Sequence, residues 1–419
     1  MRSVKLHVAG YIGLLGICAS LAPSLHAQAT IQFQPRGPQS TTLRSAPPGN
    51  SSEATRSNAH SNAISADLLA IYQQTQAAID EAAVTAIARA CAKVIPDSQR
   101  SRVDRDYAAE LFAWALNRRG EIRNERAAQL VEQGDLEQAG NLDLQAAKDF
   151  ETALQYNPNS WRTHHNLGIS LAMKGDYARA IKQFSASIEL KPDYSNSHFN
   201  RGELYFELAQ YPEAISDYTQ AIELAGTDPQ YYNSRGHCHL MLAQYDAALA
   251  DYQQATQLAS DSAVYATDLA DAYQFLGRWE EAATTYRQAV AINSQYPRAY
   301  QNAAWLMATC PEAKFRNVNL ALSAANKALE LSGERSAHTL DTLAAATAAT
   351  GNHREAVRLQ QEALRVASQE EKPELSQRLA LYQRGQSFVQ SQGVLHVDKP
   401  AASQSSRIRT ASGVSRPAR

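Results

Sequence analysis

From about residue 64 to residue 391, apolar side chains recur at spacings of three and four, the period of a single helix face. Leu68, Ile71, Tyr72, Ile79 and Ala83 open this stripe, Ile87 and Val94 continue it, and Pro96 stops it. Tyr107, Leu111, Trp114 and Ala115 mark another amphipathic helix. A longer period is laid over the helical one. Gly134/Ala146, Gly168/Ala180, Gly202/Ala214, Gly236/Ala248 and Ala270/Ala282 are small residues twelve apart, and the pair returns every 34 residues. Such a period predicts a helix-turn-helix unit that stacks on copies of itself. An array of this kind offers a long concave face in place of a deep pocket, which favours binding over chemistry.

Counting each unit so that Gly168, Gly202 and Gly236 are eighth, the twenty-fourth residue is Phe184, Tyr218, Tyr252 or Tyr286. The twenty-seventh is Ser187, Ala221, Ala255 or Ala289. Small residues let the helices approach, and the aromatic fills the space left between them. In the turns, Gly175 and Gly277 supply left-handed helix caps. Pro229 and Pro297 stand first in their units, where a missing amide proton costs nothing.

The stretches HNLGISLAMKGDYARAIKQFSASIELKP and NRGELYFELAQYPEAISDYTQAIEL carry a resemblance to the tetratricopeptide-repeat (TPR) family. It implies an all-α, right-handed superhelical solenoid with N- and C-terminal capping helices. The expected order is capping helices over 63–126, repeats over 127–367 and a capping helix over 368–391, centred on Glu374 to Ser387. After Ala304 the expected alanine arrives at Ala321, so about five extra residues enlarge the turn in ATCPEAKFRNVN. That stretch, with HTLDTLAAATAATGNHREAV, resembles a subtype of exported bacterial proteins of the planctomycete kind.

Arginine at the seventh position and aspartate at the twenty-third occur together, which predicts the ion pairs Arg201–Asp217 and Arg235–Asp251. Asp149 breaks the rule, because the same count places Gln133 opposite it.

The resemblance places the concave face on the first helix of each unit. Its sixth position reads Asn166, Asn200, Ser234, Asp268 and Asn302. A side-chain amide offers a donor and an acceptor together, so such a row can hold a peptide backbone whatever its sequence. The candidate groove is Arg162, His165, Asn166, Phe199, Asn200, Glu203, Asn233, Asp268, Arg298, Gln301 and Asn302. With Glu207 and Asp271 its centre reads acidic, with an arginine towards each end. The fifth position, read as Val131, His165, Phe199, Asn233, Thr267, Gln301 and Asp341, never holds the lysine of a carboxylate clamp.

Composition narrows the classes. The 419 residues carry a formal net charge of -2, which gives no electrostatic reason to expect nucleic acid as a partner. Arg2 and Lys5, an apolar run over 6–22 and Ala27-Gln28-Ala29 read as a signal peptide over 1–29. The protein is accordingly expected to be exported, periplasmic or secreted, with no membrane span after cleavage. An uncleaved anchor is the competing reading. Residues 30–62 read as a disordered linker and 392–419 as a disordered basic tail. Cys91, Cys238 and Cys310 read as small buried residues, since three sparse thiols make no disulfide framework. His164-His165 and His237-Cys238-His239 point in different directions on a helix, so no metal or other cofactor is expected. The chain thus reads as a non-catalytic scaffold or adaptor for a protein or extended peptide. The alternative is an enzyme, or a subunit of an envelope enzyme complex, with a site in 64–126.

Overall fold

The computed structural model describes residues 64–391 except Ile79. The signal segment, the linker and the tail expected at 1–29, 30–62 and 392–419 lie outside the described residues. What is described is all-α: a solenoid of stacked helix pairs with extra flanking helices, divided into two compact units whose described parts are 64–259 and 260–391. The division falls within the stretch expected as one array.

The unit 64–259 holds α1 (Ala66–Ala77), α2 (Glu81–Val94), α3 (Arg102–Glu132), α4 (Leu136–Tyr156), α5 (Trp161–Met173), α6 (Tyr177–Leu190), α7 (Ser195–Glu207), α8 (Tyr211–Ala225), α9 (Pro229–Met241) and α10 (Tyr245–Leu258). From α3 onwards successive helices pair, and each pair packs on the next. Side chains of Asp80, Ser101, Asp135, Ser160 and Asp176 accept a hydrogen bond from an amide of the first turn they precede, satisfying one of the free donors there. Phe150, Phe184, Tyr218 and Tyr252 are fully buried between the two helices of their pairs. Opposite Phe184 and Tyr218 a glycine leaves the room the ring needs: a Cβ on Gly168 would lie 2.8 Å from Phe184 Cε1, and one on Gly202 2.9 Å from Tyr218 Cε1. Cys91 and Cys238 are buried, free thiols.

The register of the first pair differs from the sequence expectation. Gly134 is not an eighth-position residue. It has φ +82° and sits in the turn between α3 and α4. The residue facing Phe150 is Gly120, whose Cβ would come within 2.5 Å of the Phe150 ring. The first pair therefore has longer helices, 31 and 21 residues against 13 and 14 in α5 and α6. The boundary expected at 126/127 falls inside α3 for the same reason. Its N-terminal half packs with α1 and α2 through Leu68, Val84, Ile87, Cys91, Leu111 and Trp114, while its C-terminal half opens the first pair. In true register the fifth and seventh positions are Asn117 and Arg119, not Val131 and Gln133.

The unit 260–391 holds α11 (Ala263–Phe275), α12 (Trp279–Ile292), α13 (Pro297–Thr309), α14 (Val318–Ser332), α15 (Ala337–Ala349), α16 (His353–Val366) and α17 (Lys372–Gln383). The extra residues before α14 form a turn with a short 3-10 segment, Ala313–Phe315. Arg316 ties it down by donating to the Cys310 carbonyl at 2.6 Å, and the Asn317 side chain caps α14. The core is alanine-rich: Ala304, Ala321, Ala325, Ala344 and Ala356 pack with Leu340, Leu359 and Tyr382. The last helix stops at Gln383, short of Ser387, because Gly385 adopts φ +70° and turns the chain out of the helix.

Candidate functional site

The ion pairs that brace the repeats set the geometry of the face. Arg201 Nε and Nη2 each donate to Asp217 at 2.8 Å, and Arg235 makes the same fork with Asp251 at 2.9 and 2.8 Å. Arg119 does so with Asp149 at 2.8 and 2.6 Å, which removes the exception seen in the sequence. Arg123 adds a further donor to Asp149 at 2.7 Å. These forks join the two helices of a pair and position the first helix of each.

On that first helix the fifth position turns out to face the neighbouring pair, not a ligand. His165 is buried between Phe184 and Tyr194, its Nδ1 2.9 Å from Ser197 Oγ. Burial pushes the imidazole down to about 3, so it stays neutral. Phe199 is buried against Tyr218 and Tyr231, and Asn233 is buried as well. A clamp built on this position is therefore unavailable for a structural reason.

The sixth position is half-buried in 64–259. Asn166 donates to Asn117 Oδ1 and Glu121 Oε1, both at 3.2 Å, and Arg118 pairs with Glu121 at 2.9 Å. The Asn200 side chain makes no hydrogen bond to any described residue, while Glu203 accepts from Tyr218 Oη at 2.6 Å. Arg162, at the second position, rests on the Trp161 ring at 4.5 Å, and its buried Nε has no partner. Arg162 and Asn200 are thus the polar candidates left unengaged on the neighbouring helices α5 and α7.

In 260–391 the candidates engage one another. Arg298 donates to both Asp268 and Asp271, Asn302 donates to Asp271 at 2.8 Å, and Tyr286 Oη donates to the same carboxylate. Burial pushes the Asp271 carboxyl up, against the pull of Arg298. Burial opposes the charge on Arg298, yet the facing carboxylates hold that guanidinium well above its usual range. The part of the expected acidic centre that lies in this unit is therefore engaged: Asp268 and Asp271 share the one guanidinium of Arg298. Gln301 is half-buried, and its Nε2 lacks a partner.

The sequence reading missed Asn117, Arg118 and Glu121, which the long first pair shifted out of register, and also Trp305 and Arg378. The Arg119-Gly120 dipeptide, matching Arg201-Gly202 and Arg235-Gly236, would have located the first three. Among the described residues no group of three or more His, Cys, Asp or Glu comes together as a metal site, and no helix is long and apolar enough to cross a membrane. In 64–126, burial pushes the Cys91 thiol up to about 11, which leaves it unreactive at neutral pH.

Profiles described as tetratricopeptide or TPR repeats match residues 150–182, 170–209, 195–228, 229–262, 267–300 and 336–370. The chain is a tetratricopeptide-repeat protein. Similar solved structures include a TPR protein from Parabacteroides merdae, 17% identical over 63% of this chain and 98% of its own, with a TM-score of 0.47. Yeast Tom70 is 17% identical over 73% of this chain and 59% of its own, with a TM-score of 0.42. YrrB, described as a TPR protein with an unusual peptide-binding site, is 19% identical over 45% of this chain and 94% of its own, with a TM-score of 0.37. No functional statement about this TPR chain follows from likenesses of that size. No curated protein matches its sequence.

Proposed function

We propose that this TPR protein is a non-catalytic scaffold that holds an extended peptide, or an extended segment of a partner protein, against the first helices of its repeats. The observation that carries the reading is a pair of side chains without hydrogen-bond partners on the first helices of successive repeats in 64–259. Asn200 keeps a free amide on α7, and Arg162 keeps an unpartnered Nε on α5. A peptide backbone supplies the donor–acceptor pattern that the Asn200 amide matches, and its carbonyls are acceptors for the guanidinium of Arg162. Asn302 belongs to the Asp271 network instead and serves as the structural control.

The test is capture of partners from an extract of the source cell by the wild type and by Arg162→Ala/Asn200→Ala. Loss of capture by the double variant, with unchanged helicity, supports the groove; equal capture removes it. We propose further that the protein belongs to the exported, planctomycete-like TPR subtype and works outside the cytoplasm. Support comes from Arg2, Lys5, the apolar run 6–22 and Ala27-Gln28-Ala29. A mature N-terminus at residue 28 or 30, read by mass spectrometry, is the expected result, and an intact, cytosolic chain overturns it.

A further inference from the structure

Beyond Gln383 the described residues do not leave the fold. Residues 384–391 run back, non-helical, along the C-terminal ends of α13 and α15. Ser387 Oγ donates to the Ala348 carbonyl at 2.8 Å, and the Gln390 amide donates to the Thr309 carbonyl at 2.9 Å. Both carbonyls belong to the last turn of a first helix, where no partner exists within the helix itself; that of Ala348 also accepts from the Gly351 amide at 2.9 Å, whereas Gln390 supplies the backbone partner of Thr309. The side chains alternate. Phe388 and Gln390 turn inwards, whereas Ser387, Val389 and Ser391 are exposed, Val389 by 48%. Alternation of inward and exposed residues together with a main-chain hydrogen bond, here that of Gln390, is how an extended peptide ligand binds.

The inward aromatic meets a prepared shelf. Phe388 lies 5.7 Å from the Trp305 ring, and the Arg378 guanidinium sits 5.4 Å from each of the two rings. Arg378 is held by Asp341 at 2.9 Å, and Asp341 in turn accepts from Gln360 Nε2 at 2.7 Å. None of those supports belongs to 384–391, so the shelf does not depend on its occupant. The occupant is loosely fitted: Phe388 stays half-exposed, and the buried Gln390 Nε2 has no partner.

We infer that Trp305, Arg378 and the carbonyl ends of α13 and α15 form a peptide site that residues 386–391 of the same chain fill as a removable strap. The ligand class is an extended segment presenting an aromatic side chain with an amide side chain two residues later. A partner of that chemistry enters by displacing Phe388. This extends the scaffold reading to a second face, and its test does not involve Arg162 or Asn200, so the two fail separately.

The experiment titrates a labelled peptide GQSFVQS (385–391) into the full-length chain and into full-length Phe388→Ala, read by fluorescence anisotropy. Phe388→Ala is expected to bind at least about tenfold more tightly than the wild type, and Trp305→Ala in that background to lose the gain. Equal binding by the two chains, or binding by neither, overturns the inference. Hydrogen exchange on the wild type supplies a reading independent of any variant's folding. The Gln390 amide should be protected at all protein concentrations and lose protection in excess peptide. An amide exchanging at the free-peptide rate shows that the strap is unseated, and protection that grows with protein concentration places it on a second copy; either result overturns the intramolecular site.

Discussion

Arg119 and Asp149 stand thirty residues apart and form the same two-pronged bridge that Arg201–Asp217 and Arg235–Asp251 form across sixteen. The bridge identifies the C-terminal half of α3 as the first helix of a repeat, although the sequence spacing points fourteen residues later. Removing Arg119 leaves the buried Asp149 carboxylate with Arg123 as its remaining cation and breaks the two-pronged bridge. Arg119→Met should therefore cost about 2–3 kcal/mol, whereas Gln133→Ala should fall within about 0.5 kcal/mol of the wild type. Urea melts of the two variants check the register directly. Equal effects would contradict it.

Glycine-to-alanine changes at the eighth position should be graded by the space the structure leaves. A helical alanine gains up to about 1 kcal/mol over glycine, and overpacking costs about 1–3 kcal/mol. Gly120→Ala, with the Phe150 ring at 2.5 Å, should destabilise most, and Gly168→Ala, at 2.8 Å, should follow. Gly236→Ala, at 3.2 Å from Tyr252, should be nearly neutral, as the natural pair Ala270 and Tyr286 suggests. Thermal midpoints in the reverse order would refute the packing account.

Two turns offer stabilising changes. Ala209 and Ala243 adopt φ of 55° and 56° where Gly175 and Gly277 stand in other repeats. The left-handed conformation costs an L-residue about 1–2 kcal/mol, partly offset by the greater unfolded-state entropy of glycine. Ala209→Gly and Ala243→Gly should each stabilise by about 0.5–1 kcal/mol in urea melts, and a loss of stability at both would contradict the turn assignment.

His165 makes a pH prediction. Its folded value, about 3, lies below the unfolded 6.5, so between them the unfolded chain binds the additional proton. Stability from this group is complete above about pH 6.5 and declines as the pH falls towards 3. His165→Gln should flatten that part of the stability–pH curve, and imidazole NMR shifts of His165 should still report the neutral ring at pH 5. A protonated ring at pH 5 would rule out the buried placement.

Much of the fold was legible because stacking imposes strict spacing on small residues and aromatic knobs. Arg201 and Asp217 could be paired from their co-occurrence alone. The first pair was not legible, because longer helices change the spacing while keeping the contacts, and Gly134 stood where a false match would fall. The candidate site was legible only in part. A helical period tells which face a residue occupies, but not whether its polar group is already engaged. Asn200 and Asn302 are equivalent in sequence; one is free, and the other is bound to Asp271. The site around Trp305 is completed by Arg378 and occupied by Phe388, which lie outside the repeats and carry no periodic signal.

The most direct test of the scaffold account is photo-crosslinking from a single photoreactive residue placed either at Asn200 on α7 or at Glu213 on the exposed flank of α8. A bound partner should crosslink from position 200, the adduct should map to a contiguous extended segment, and position 213 should stay silent. Adducts formed equally from both positions, or only from 213, would contradict the claim that the first helices of the repeats form the binding face.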